Sequence, residues 1–223
     1  MESIQPVIDR MEAIGGGLPE TDGVARFNAM YLAVTREVAK QAQAGVFQDP
    51  AALSLLDVVF ADLYFDAVDA STSGKRIPRA WRPLFEAREK KRVHPLQFAF
   101  AGMNAHINHD LVVAIVDTCK RNDTKVERNS PFHTDYLAVN KLLAKVEDSV
   151  KRQFLTGALQ VADEAAGRLD DVIAMWSIEA ARDGAWNHAE ALSHLPDFAR
   201  KPYLDALAGT VGLAGRGLLV PVL

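Results

Sequence analysis

The sequence predicts an all-α chain, folded as a single helical bundle of about six to eight helices around a long central helix. Three observations predict it. Apolar residues recur three and four apart, as in Phe27, Met30, Tyr31, Val34 and Val38. Strand signals are nearly absent, with no alternating run, no Asn-Gly hairpin and no internal repeat. Helix starts are well marked: Asp49-Pro50 and Ser130-Pro131 each offer an N-cap followed by a first-turn proline.

Taken in order, Ser3 to Ile14 carries Ile4, Val7, Ile8 and Met11 on one side and ends at Gly15-Gly-Gly17. Asp22 caps a longer helix that Gly45 stops. The helix after Asp49-Pro50 is apolar nearly all round, which places it in the centre of the bundle, yet it carries Asp57, Asp62 and Asp66. A short basic helix is expected from Arg79 to about Arg92, anchored by Trp81 and Phe85. The central helix runs from about Leu96 to Arg121. The helix after Ser130-Pro131 reaches about Gln153, Leu155 to Ala165 continues or restarts it, and Leu169 to Leu192 forms another. A last short helix starts at Pro196, with Gly209 to Gly217 as loop. One domain is expected over 1–223, with 209–223 docked on it as a C-terminal tail.

The composition bounds the function. Hydrophobic residues are 49% and charged residues 24%, enough for a sizeable core, and the net charge of −4 is spread along the chain. No basic stripe argues for nucleic acid, and no run approaches the roughly 20 apolar residues of a membrane span. The single cysteine, Cys119, excludes an intramolecular disulfide and a cysteine zinc cage, and suits a reducing cytoplasm. A buried inert thiol is the reading for it. The apolar end, Leu218 to Leu223, could also join two copies of the chain.

The candidate site lies in Phe98 to Leu111, where Asn104, His106, Asn108, His109 and Asp110 interrupt an apolar helix. Such groups are costly to bury without partners. His106 and Asp110 are four apart and leave one face of a helix. That spacing serves a helix giving two ligands to one metal, and equally a carboxylate holding an imidazole in one tautomer. His109 falls at the edge of that face, and Asn104 and Asn108 suit orienting a substrate. Asn140 stands one turn from Tyr136 and two from His133, so a second polar row can face the first. Tyr136, Asn140 and Tyr64 are the expected substrate contacts. On the neighbouring helix Asp57 shares a side with Phe60 and Tyr64. Arg182 and Trp186 share a face farther on. No phosphate loop, Gly-x-Ser-x-Gly elbow or dinucleotide fingerprint is present. The opposing reading is a satisfied core network in a non-catalytic binding module.

Gly102-Met-Asn-Ala-His-Ile-Asn-His-Asp-Leu111 resembles the hallmark of an uncharacterised bacterial family, a domain of unknown function of about this length. Phe132-His-Thr-Asp-Tyr136 and Ala181-Arg-Asp-Gly-Ala-Trp186 extend that resemblance. More distantly, His106 and Asp110 in a helical chain are similar to the zinc-dependent phospholipase C and nuclease group. The chain lacks that group's N-terminal Trp ligand and its later His-x-x-x-Glu. This second resemblance implies hydrolysis of an ester or phosphoester at a divalent ion, zinc foremost. His106, Asp110 and His133 would then hold the metal, with Asp57 or Asp62 completing the shell. The metal-free alternative is an acid/base enzyme, a cyclase or isomerase of small-molecule biosynthesis, in which His106 and Asp110 act as a pair.

Overall fold

The computed structural model describes residues 4–43, 45–141, 143 and 177–221. Over these residues the chain is helical and contains no strand. The predicted helices at 155–165 and from Leu169 to Trp176 lie outside the described residues.

Helix α1 spans Gln5–Gly16. Helix α2, Gly23–Gln43, starts where Asp22 Oδ1 accepts the Val24 N–H at 2.8 Å. The other oxygen of Asp22 accepts from Arg88 Nε at 2.7 Å, so the cap also ties α2 to the loop after α4. Helix α3, Pro50–Thr72, is capped by Asp49, whose side chain accepts from Ala52 N–H at 3.0 Å. The proline behind the Asp49 cap costs no hydrogen bond, because a first-turn N–H has no intrahelical acceptor.

Helix α4 is only Arg82–Ala87, shorter than the basic helix expected from 79 to 92. Arg82 and Glu86 lie within it, whereas the charged run from Arg88 to Arg92 follows it outside any helix. The central rod follows without a break: α5, Pro95–Ala105, a π-helical turn over His106–Asp110, and α6, Leu111–Arg121. Helix α7 covers 131–141, and its start is marked by the His133 N–H donating to Ser130 Oγ at 3.1 Å. Helix α8 is Ile178–His194 and α9 is Asp197–Leu218.

The C-terminal region departs from expectation. Residues 209–217, rich in glycine, continue α9 instead of forming a loop. Glycine disfavours a free helix by about 1 kcal/mol relative to alanine, but here the missing side chains are what lets α9 pack. A Cβ on Gly212 would lie 2.8 Å from the Arg79 carbonyl oxygen, and one on Gly209 3.1 Å from the Arg79 guanidinium. Tertiary contact therefore outweighs propensity. Beyond α9, Gln97 donates to the carbonyls of Leu218 and Val220 at 2.7 and 2.6 Å.

The rod forms the axis of the bundle. Its α5 half packs on α2 and α9, its α6 half on α3 and α8, and the π turn between them touches α3, α8 and α9. Phe27, Phe60, Tyr64 and Trp81 meet in one aromatic cluster around His106. No helix among the described residues is long and apolar enough to cross a membrane.

Candidate functional site

The π turn is where the predicted pair sits. The Leu111 N–H reaches back to the carbonyl of His106, five residues earlier. Such widened turns recur at functional sites because they re-aim side chains that a regular helix would stack. His106 and Asp110 are both 2% exposed, and Asp110 Oδ2 stands 3.2 Å from His106 Nδ1. The same oxygen accepts from Trp81 Nε1 at 2.7 Å, while Oδ1 is 2.8 Å from His109 Nδ1. His109, placed by its sequence position at the edge of the site, is thus a direct partner of Asp110.

Burial alone would push Asp110 up, but the hydrogen bonds from His106 and His109, and then their charges, hold it below the ordinary carboxylate value. The carboxylate is therefore an acceptor, and the His106 proton sits on Nδ1. Burial, outweighing Asp110, pulls the imidazole itself below its ordinary value and keeps it neutral near pH 7. Nε2 is left with a lone pair. It is buried and has no hydrogen-bond partner among the described residues.

His106 belongs to the wall of a cavity of about 70 Å³. The Phe60 ring stacks on the imidazole, 3.5 Å between centroids and 5° from parallel, and Tyr31 meets it edge-on at 4.5 Å. Most of the lining is apolar, and its ionisable members are Tyr31, Asp57, His106 and Arg182. Asp57 Oδ2 is buried without a partner among the described residues. Burial raises Asp57 to about 7, against the pull of the Arg182 charge. Tyr31 is raised well above its usual range by burial first and then by Asp57 and Asp110.

Arg182 is 5% exposed. Its Nε donates to Asn140 Oδ1 at 2.6 Å and its Nη2 to the Tyr136 carbonyl at 3.0 Å, and the guanidinium lies 4.0 Å from the centroid of the Tyr136 ring. The Tyr136 hydroxyl donates back to the Arg182 carbonyl at 2.7 Å. Tyr136 and Asn140, expected as substrate contacts, do not line the cavity and instead hold the side chain that does. Arg182 escaped selection as a site residue because its neighbours at i ± 4 look like an ordinary core stripe. The available signal was an arginine on the same face as a tryptophan.

Other expectations fall elsewhere. Asn104 Nδ2 donates to the Val211 carbonyl at 2.9 Å and Asn108 Nδ2 to Asn104 Oδ1 at 3.1 Å, so the two amides fasten α9 to the rod and do not line the cavity. Tyr64 donates to Asn28 Oδ1 at 3.2 Å, and Asn28 in turn donates to the Met11 carbonyl, linking α3, α2 and α1. His133 lies tilted against Trp186, 4.4 Å between centroids, with its Nδ1 accepting the Asn129 N–H. Asp62 is exposed, and its charge reaches Tyr31. Of the five proposed metal ligands, His106 and Asp110 touch and Asp57 shares the cavity with His106, whereas His133 and Asp62 lie apart from it. Among the described residues no three His, Cys, Asp or Glu side chains are grouped to hold a metal ion. Cys119 is buried, and burial raises its thiol.

The chain belongs to a family described as a family of unknown function (DUF5995), whose model matches residues 4–221. No curated protein matches this chain, and no solved structure does.

Proposed function

We propose that this member of the family is a metal-free acid/base enzyme that moves a proton on a small, largely apolar molecule held in the central cavity. The observation that carries this reading is His106, a residue of the cavity wall: its Nε2 is buried without a partner among the described residues while Asp110 holds the opposite ring nitrogen. An unsatisfied buried acceptor costs about 1–3 kcal/mol, a cost that a ligand's proton would relieve. The roles divide by environment. His106 is the base, Asp110 fixes its tautomer and stabilises the imidazolium that forms, and Asp57, near 7, can return a proton. A cavity of about 70 Å³ suits a molecule of a few heavy atoms, since a dry cavity of about 150 Å³ takes a benzene. Ester or phosphoester hydrolysis at zinc draws on His133, which stands away from this cavity, with Asp57 or Asp62 completing the shell, and the geometry favours it less.

The test is deuterium exchange into the methyl groups of acetone and pyruvate in D₂O, followed by NMR. Wild-type protein is expected to exceed His106→Gln by about 10²–10⁴-fold, the usual worth of a positioned base. Equal rates in the two proteins, with His106→Gln folded, would refute the reading in favour of a structural network.

A further inference from the structure

Buried charges in proteins are as a rule paired. Among the described residues Arg182 departs from that rule in an informative way. Its guanidinium, which does not lose its proton in proteins, is buried, and its hydrogen bonds go to neutral partners, the Asn140 amide and the Tyr136 carbonyl. Among the described residues no carboxylate forms an ion pair with it. Asp57 shares the cavity wall and feels the Arg182 charge, yet keeps Oδ2 without a partner among the described residues. A cation and a half-neutral acid therefore look into one apolar chamber without closing on each other.

Two of the five guanidinium N–H groups are accounted for by Asn140 and Tyr136. A planar fork with donors to spare is suited to a carboxylate. The apolar part of such a ligand would lie among Met30, Val34, Leu53 and Leu56, which line the same space. Size sets the upper bound, because about 70 Å³ admits a chain of a few carbons and not a long one.

We propose that the cavity is the binding site of a short-chain monocarboxylate, held by Arg182 and taken up together with a proton on Asp57. This rests on the reading of the cavity as the substrate site and names the substrate class. Charge balance gives the reason for the proton. One guanidinium can neutralise one carboxylate in a low-dielectric chamber, so a bound anion requires Asp57 to be neutral. Among the described residues the charged and titratable groups facing Asp57 across the chamber are Tyr31 from α2, His106 from the π turn and Arg182 from α8, while α6 and α7 present Leu111 and Val139 there. Tyr31 and His106 are neutral near pH 7, each displaced in that direction by burial, which leaves Arg182 as the counter-charge on that wall among the described residues.

Propionate and its neutral isostere propionamide are the probes, measured by titration calorimetry on the full chain. Propionate is expected to bind at least about tenfold tighter than propionamide at pH about 6, the preference a single buried charge-assisted contact supports. Its affinity should fall about tenfold between pH about 6 and about 8, with net proton uptake seen as a dependence on buffer ionisation heat. Asp57→Asn should flatten that pH dependence while keeping the affinity found at low pH. Arg182→Met should abolish the preference for propionate; because Arg182 also braces α7, Asp57→Asn supplies the test that does not depend on that variant folding. Propionamide binding as tightly as propionate, or a flat pH profile in the wild type, overturns the proposal while leaving the cavity as a ligand site. Binding of neither probe overturns both.

Discussion

Replacing Asp110 by alanine tests the centre of the molecule. Its carboxylate accepts from Trp81 Nε1 at 2.7 Å and from His106 Nδ1 at 3.2 Å, and Trp81 and His106 are 0% and 2% exposed. The alanine variant leaves both N–H groups without an acceptor in a place water does not reach. Each orphaned donor costs about 1–3 kcal/mol. His109, the third partner, is half-buried and can turn to water, so it adds little. Removing the buried charge returns part of its own desolvation cost. The net expectation is a loss of about 3–5 kcal/mol, a large share of the roughly 5–15 kcal/mol that holds a domain folded. Urea denaturation at pH 7 measures it as a lowered midpoint with an unchanged slope. A double-mutant cycle with Trp81→Phe separates the hydrogen bond from the ring, and a coupling of about 1–2 kcal/mol is expected. A loss below about 1 kcal/mol for Asp110→Ala, or additivity within about 0.5 kcal/mol in the cycle, would refute the claim that this carboxylate organises the core.

Stability should also depend on Asp57. Its folded value is raised to about 7 from 3.8, so the folded state binds the proton more tightly than the unfolded chain. Its contribution is greatest at low pH and is lost as pH rises from about 4 to about 7, amounting to at most about 4 kcal/mol. Asp57→Asn should be the more stable protein at pH about 8 and should show a flatter stability profile by chemical denaturation across that window. Gly212→Ala should destabilise by about 1–3 kcal/mol, because its Cβ would fall 2.8 Å from a backbone oxygen that cannot step aside. Gly217→Ala, with open space at the same atom, should be neutral or slightly stabilising, and the pair compared by thermal melts isolates the contact from helix propensity.

Much of the fold was legible because it is written in local chemistry. The caps at Asp22, Asp49 and Ser130 act over two or three residues, and the apolar spacing in α2 states which face is buried. Amphipathic period and N-cap hydrogen bonds depend on neighbours in sequence, so an isolated reading finds them. The π turn was less legible: the sequence shows five polar residues in a core helix but not that the helix widens there. His109 was accordingly set at the edge of a site in which it binds Asp110 directly.

What the chain determined by itself was its all-α class, the run of its helices up to the rod, and the pairing of His106 with Asp110 along one helix. Tertiary structure alone decided which groups share a cavity. Asp57, His106 and Arg182 lie on three helices far apart in sequence, and only packing shows that they line one chamber while His133 and Asp62 do not. The same holds for Gly209 to Gly217, whose glycines imply a loop until a neighbouring backbone is seen to need the space. Helix caps and amphipathic period are set within a few residues. Desolvation and close approach are set by what arrives from elsewhere in the chain, and those two effects shape the site.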